Sequence, residues 1–462
     1  MQIKKISFIE TRSTDAYIFR KFPIPRVGAV LLSTILRNNG YEVKAFIEDV
    51  APLDWDYLEN SDLVCISTIT STVNKAYETA KRVKRLGIPI VMGGAHPTFV
   101  PEEALGQCDY VVRGEGEQTL LELIHYIEKG SPDISTIKGL SYKGKDGSCI
   151  HNSVRPNLED LDELPTPDFA LVHKWRSSFI HPVSTTRGCA YNCSFCLVSP
   201  MFGRHYRYRS VSKVMEELRD ITSKSRSPIF IVDDNFAANR KRAKELIRAM
   251  IAEGITPKWS AMVRTNIAKD KELLELLSQT GDFTASIGFE SINPQALKFY
   301  EKRQDLEDNI HCIKALKEHG VKIHGMFVFG ADTDTVDTIK KTTDFARDMQ
   351  LDSIQFMVLT PLPGTTLFNE MNKAGRLLHT DWTKYDIHHV VFNPTHIKPE
   401  ELHTETLKAM KNFYSWGYIF GKLISFKLFY AAFGVYNRNS LNRALREARD
   451  YLYGLFYEQK KS

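Results

Sequence analysis

The chain has 462 residues, enough for two or three domains, and its 43% hydrophobic and 25% charged residues suit a globular protein with sizeable cores. A formal charge of +5 over this length is too small for a dedicated nucleic-acid binder, so no nucleic-acid partner is expected. Seven cysteines exclude a disulfide scaffold. The start, Met1-Gln-Ile-Lys-Lys-Ile6, puts charge inside the first apolar run, unlike a signal peptide. No stretch reaches the roughly 18 uncharged apolar residues of a membrane span. A cytoplasmic location is expected.

Residues 1–150 alternate apolar runs with helical patterns. Strands are predicted at Ile3–Ile9, Glu42–Ile47, Leu63–Ser67, Ile88–Met92 and Tyr110–Val112, and helices at Val27–Asn38, Val73–Leu86 and Gln118–Ile127. Strands separated by helices imply a doubly wound parallel sheet, whose ligands sit at the carboxyl ends of strands. Residues 151–175 read as an acidic, proline-punctuated linker. Within 176–370 a second alternation places strands at Pro182–Thr186, Ile229–Asp233, Trp259–Val263, Phe283–Phe289, Lys322–Val328 and Ile354–Leu359. Six such units predict a partial (β/α)6 barrel, with its site at the strands' carboxyl ends. Residues 371–462 read as a helical C-terminal region.

The first barrel strand runs into Thr186-Arg-Gly-Cys-Ala-Tyr-Asn-Cys-Ser-Phe-Cys-Leu197. Cys189, Cys193 and Cys196 stand in a C-x3-C-x2-C spacing, and three such thiolates suit three irons of a [4Fe–4S] cluster. A structural zinc would need a fourth ligand, and none stands at zinc-site spacing. This loop, with Phe195 before the last cysteine, resembles the radical S-adenosylmethionine (SAM) superfamily. The resemblance implies that the fourth iron chelates SAM and that one electron cleaves SAM to a 5′-deoxyadenosyl radical. It also implies an external electron donor such as flavodoxin or ferredoxin.

The resemblance extends to the end of the barrel. Ile231-Val-Asp-Asp-Asn-Phe236 looks like the acidic strand end used against the SAM amino group, with Asp233 or Asp234 as acceptor or, alternatively, as helix cap. Arg264 suits the SAM carboxylate or a barrel acid. Ser286-Ile-Gly-Phe-Glu-Ser291 resembles the family's Gly-x-Glu-Ser signature. There Gly288 would admit a ligand, and Glu290 would accept a hydrogen bond from it or pair with Lys302 or Arg303. Phe195 would pack near the adenine. Thr360-Pro-Leu-Pro-Gly-Thr365 reads as a rigid turn at the barrel mouth.

The amino-terminal domain resembles that of the cobalamin-binding class of radical SAM enzymes. Ser67, Thr68 and Ser71, then Gly93, Gly94 and His96, then Gly114 and Glu115 follow three predicted strands, where small and hydroxyl residues would admit a corrin. The Asp-x-His-x-x-Gly motif of many cobalamin proteins is absent. The alternative is a domain of this type that only shapes the site. His96, before Pro97, suits a cap or a corrin side-chain contact better than axial ligation.

Residues 412–449 combine an aromatic run with Arg438, Arg443, Arg446 and Arg449. They suit either a helical lid or peripheral contact with the inner face of a membrane. His388 and His389 could reach substrate, but read more readily as surface histidines. The whole implies a radical SAM enzyme with a [4Fe–4S] cluster, SAM and cobalamin, transferring methyl to a lipid-like or polycyclic small molecule. Carbon–carbon coupling, cyclisation or rearrangement is the alternative, and a non-catalytic cobalamin or iron–sulfur sensor the third reading.

Overall fold

The structure, a computed structural model, describes residues 2–13, 24–176 and 179–458. It divides into two compact units, residues 1–190 with 197–234, and residues 191–196 with 235–462.

The first unit is built on a seven-stranded sheet. Its strands are β1 (Lys5–Glu10), β2 (Glu42–Ile47), β3 (Leu63–Ser67), β4 (Ile90–Gly93), β5 (Tyr110–Val112), β6 (Leu140–Lys143) and β7 (Cys149–His151), in the order β2-β1-β3-β4-β5-β6-β7. The first five are parallel, and β6 and β7 form an antiparallel edge. Ile6, Phe8, Val64, Ile66 and Met92 are all buried, as expected where helices cover both faces of a parallel sheet. The helices Val27–Asn38, Val73–Lys84 and Glu117–Lys129 supply that cover. The order of β1 to β5 reverses direction between β1 and β3, and ligands of such sheets bind at that reversal. The edge hairpin β6–β7 was not foreseen, because its seven residues are short and carry polar and charged side chains.

Residues 152–175 run largely without regular structure, broken by 3-10 turns at Leu161–Glu163 and Phe169–Leu171. They are sewn to the sheet. Asp168 accepts from Arg37, its backbone N–H donates to Thr34, and Phe169 and Val172 enter the core beside Ala45. Two further parallel strands, β8 (His181–Val183) and β11 (Ile229–Ile231), complete this unit. Between them lies a ribbon of β9 (Thr186–Arg187) and β10 (Arg207–Tyr208).

The second unit carries β12 (Trp259–Val263), β13 (Phe283–Glu290), β14 (Lys322–Phe329) and β15 (Ser353–Val358), each parallel to the next. Each is followed by a helix, as are β8 and β11 of the first unit, so six strand–helix repeats stand in chain order as the pattern predicts. Helices Pro399–Phe413, Trp416–Ile424 and Leu428–Tyr453 follow. The Tyr414 hydroxyl donates to the Ile354 carbonyl and accepts from the Ile354 N–H, and Lys422 and Lys427 both pair with Asp352. The Trp416–Leu428 turn therefore sits at the amino end of β15, not at the mouth where a lid would close. His388 is buried, and His389 is paired with Asp386 and packed on His403 and Tyr451. The expectation of two surface histidines fails: His388 is buried, and Tyr451 of the helix Leu428–Tyr453 packs on His389.

Candidate active site

A cavity of about 530 Å³ opens in the first unit at the carboxyl ends of its strands. Ser67 and Thr68 after β3, Gly93 and Gly94 after β4, and Gly114 and Glu115 after β5 all line it. Leu31, Leu32, Ile66, Met92 and Leu120 give it an apolar floor. The opposite wall comes from Thr186 and Arg187 of β9, Leu197 and Met201 beyond the cysteine loop, and Val232 and Asp234 after β11. The predicted turns and the predicted acidic strand end thus face one space.

Backbone geometry keeps the turns tight. Gly94 has φ +97°, and a Cβ there would stand 2.4 Å from the Thr68 carbonyl oxygen, so the β3 and β4 turns touch only through glycine. Gly114 has φ +73° and open space where a Cβ would be. Ser71 and His96 do not line the cavity. The His96 ring is buried against Tyr77, with Nε2 3.3 Å from Glu103, so it is engaged inside the domain.

Asp233 and Asp234 have different surroundings. The Asp233 carboxylate accepts from the Thr185 N–H at 2.6 Å, the Thr185 hydroxyl at 2.5 Å and the Thr186 N–H at 2.9 Å. It ties the end of β11 to the end of β8 and is spent as a staple. Asp234 lines the cavity instead. Burial, together with the adjacent Asp233 charge, raises its pKa to about 7.

Glu115 is the hub of a buried ion network. Its carboxylate is bidentate on Arg207, at 2.7 and 2.9 Å, and meets Arg187 at 3.1 Å and the Leu158 N–H at 2.9 Å. Arg187 also pairs with Glu117 at 2.6 Å. Burial opposes the Glu115 charge, yet the Arg207 hydrogen bonds and the Arg187 charge hold its pKa below the ordinary value. Sequence reading missed these arginines, although Arg187 stands two residues before Cys189.

Gly188 opens the cysteine loop at φ +85°, and a Cβ there would lie 2.2 Å from the His205 carbonyl oxygen. Cys189 donates its N–H to Gly203, and its Sγ lies 3.4 Å from the Tyr206 hydroxyl. Cys193 and Cys196 belong to the second unit, joined by a turn from the Cys196 N–H to the Cys193 carbonyl at 3.0 Å. None of the three is in a disulfide, and each is partly exposed. Among the described residues no three side chains gather around one metal ion.

The loop is held from within the second unit. The Arg264 guanidinium stacks 3.7 Å over Tyr191 and donates to the Lys302 carbonyl. Phe195 meets Tyr300 edge-on at 5.4 Å, and the Ser194 carbonyl accepts from Leu367 just past the Pro-Leu-Pro-Gly turn. Glu290, at φ +61°, pairs with Lys302 at 2.5 Å. A Cβ on Gly288 would come within 2.3 Å of that carboxylate, so the glycine makes room for the pair. The Glu290–Lys302 pair is one of the two alternatives read from the sequence, whereas Tyr191 and Tyr300 were not foreseen. Tyr191 alone had a signal, its place inside the cysteine motif.

A family model described as the Radical SAM superfamily matches residues 183–346, and one described as a B12 binding domain matches residues 18–124. An uncharacterized methyltransferase of Pyrococcus horikoshii is 32% identical over 84% of this chain and 88% of its own length. The chain belongs to the cobalamin-binding radical SAM family. It is therefore a radical SAM enzyme whose cofactors are a [4Fe–4S] cluster, SAM and cobalamin, acting on a small molecule. The bacteriochlorophyllide d C-12(1)-methyltransferase of Chlorobaculum tepidum is 32% identical over 79% of this chain and 77% of its own. The anaerobic magnesium-protoporphyrin IX monomethyl ester cyclase of Rubrivivax gelatinosus is 28% identical over 84% of this chain and 74% of its own. The solved structure of the radical SAM methyltransferase TsrM from Kitasatospora setae, with cobalamin and a [4Fe–4S] cluster, shares the fold. Its TM-score is 0.67 at 21% identity, over 81% of this chain and 78% of that one.

This enzyme's residues fit those cofactors. The glycine and hydroxyl turns leave room for a bulky apolar ring system, and the three thiols are soft donors suited to iron–sulfur binding.

Proposed function

We propose that this enzyme transfers a methyl group to an unactivated carbon of an apolar, polycyclic or lipid-like small molecule. One observation carries the reading: the corrin-type turns after β3, β4 and β5 and Asp234 after β11 line a single cavity. Bound together, the cluster and SAM supply a hydrogen-abstracting radical and the corrin a transferable methyl group.

The chain's own residues hold and orient. Cys189, Cys193 and Cys196 hold the cluster. Asp234 accepts from the SAM ammonium, while Asp233 fixes the strand end that presents it. Glu115, Arg187 and Arg207 brace the wall of the cavity. Arg264 and Phe195 hold the cysteine loop through Tyr191 and Tyr300. The aliphatic floor excludes water, which protects a radical from side reactions. The electron comes from an external donor of the flavodoxin or ferredoxin class.

The test is product mass with tetrapyrrole and polycyclic lipid substrates under reducing, oxygen-free conditions. Methyl transfer adds about 14 daltons per event, and methyl-deuterated SAM carries its label into the product. The likeness to the cyclase supports a second reading, ring closure, which leaves no label in the product.

A further inference from the structure

The surface of the C-terminal hairpin is apolar where a surface helix is ordinarily polar. Most of the exposed large hydrophobic residues described in the chain lie between Trp416 and Val435. Trp416, Phe420 and Ile424 form one stripe along the helix Trp416–Ile424, at spacings of four. The opposite side of that helix is committed to the barrel unit, with Ile419 buried and Lys422 bound to Asp352. At the turn, Phe426 is 89% exposed and Ile424 78% exposed, and Leu428 and Phe429 continue the patch. Phe426 holds φ +56°, an unfavourable conformation for an aromatic residue, which the flanking Lys422–Asp352 and Lys427–Asp352 pairs fix in place.

A cation stands behind this tip. Arg438 lies ten residues beyond Leu428, about 15 Å along the helix axis, and its guanidinium stacks 5.4 Å from the Trp416 ring. Arg443, Arg446 and Arg449 lie further up, about 22 Å or more from Leu428, interleaved with exposed Glu447 and Asp450. An apolar tip with a tryptophan–arginine pair above it matches the depth profile of a lipid interface. No helix among the described residues is long and apolar enough to cross a membrane.

We propose that this hairpin docks the enzyme on an anionic lipid surface, with Ile424, Phe426 and Leu428 in the acyl boundary and Trp416 and Arg438 at headgroup level. The tip sits at the amino end of β15, so docking anchors the enzyme and leaves the mouth of the barrel facing away from the lipid. The anionic charge requirement follows from Arg438 and from Lys422 and Lys427, which together carry one charge more than their shared Asp352, and high salt weakens it.

The full-length, cluster-loaded enzyme is floated with vesicles of phosphatidylcholine alone, or of phosphatidylcholine and phosphatidylglycerol at two to one. The wild type is expected to float with the anionic vesicles only, and less so at high salt. Phe426→Asp with Ile424→Asp weakens binding at least about tenfold, since each removes a buried apolar side chain from the interface. Arg438→Glu weakens it and flattens the salt dependence. All variants keep wild-type SAM cleavage, which shows that they fold. Three results overturn the proposal: a wild type that stays with neither vesicle, an aspartate variant that floats like the wild type, or a vesicle-free dimer that the aspartate variant turns into monomers. The last would make the patch an interface between copies of the chain.

Discussion

Replacing Asp234 by Asn should make the enzyme more stable at neutral pH while weakening its grip on SAM. The folded protein raises this carboxyl from 3.8 to about 7, through burial first and the neighbouring Asp233 charge second. Below pH 4 the group is protonated whether the chain is folded or not, and it costs nothing. Between pH 4 and 7 only the folded state must hold the proton, so stability falls as pH rises. Above pH 7 the loss is complete and amounts to about 4 kcal/mol. Asn removes the titration. In protein without added SAM, Asp234→Asn should therefore melt up to about 10 °C higher than wild type at pH 8, with the gap closing toward pH 4. SAM binding should move oppositely. If the ionised carboxylate receives the SAM ammonium, wild-type affinity falls about tenfold per pH unit below pH 7. The Asn variant is weaker, and its affinity does not vary across that range. Melting curves and equilibrium dialysis from pH 5 to 8 measure both. Superimposable melting curves, or a pH-independent wild-type affinity, would refute the reasoning.

Cys193→Ala should lose iron and form no 5′-deoxyadenosine, and retained SAM cleavage would remove the cluster assignment. Gly188→Ala should lower iron occupancy without touching a thiol, because its Cβ would strike the His205 carbonyl and shift Cys189; the iron-to-protein ratio reads it. Glu115→Gln leaves Arg187 and Arg207 short of a buried countercharge and should cost about 3–5 kcal/mol, seen as a lower melting temperature. Glu290→Gln should cost a similar amount by stranding Lys302. Adding Lys302→Met should recover most of it, and a double variant no better than the single one would count against a mainly structural pair.

Much of the architecture was legible because parallel strands write continuous apolar runs. Val27–Asn38, Glu42–Ile47, Leu63–Ser67 and Trp259–Val263 fall on the residues that periodicity marks. The hairpin β6–β7 escaped because an exposed edge carries no such run. At the site, glycines and hydroxyls at strand ends pointed to the cavity, since tight turns need those residues. What could not be read was partnership across sequence distance. Nothing local says that Asp233 meets Thr185, that Glu115 meets Arg207, or that Arg264 stacks on Tyr191. The sequence also cannot divide labour between adjacent aspartates. That follows from which one the end of β11 turns inward to Thr185. His389 reads as surface because Tyr451, which packs on it, lies some 60 residues later in the chain.

Metal content of protein purified without oxygen, from cells supplied with cobalamin, tests the central claim most directly. The account predicts about four irons and one cobalt per chain, one cluster and one corrin. The same iron without cobalt would contradict cobalamin-dependent methyl transfer, and the enzyme would then be sought among radical couplings and cyclisations.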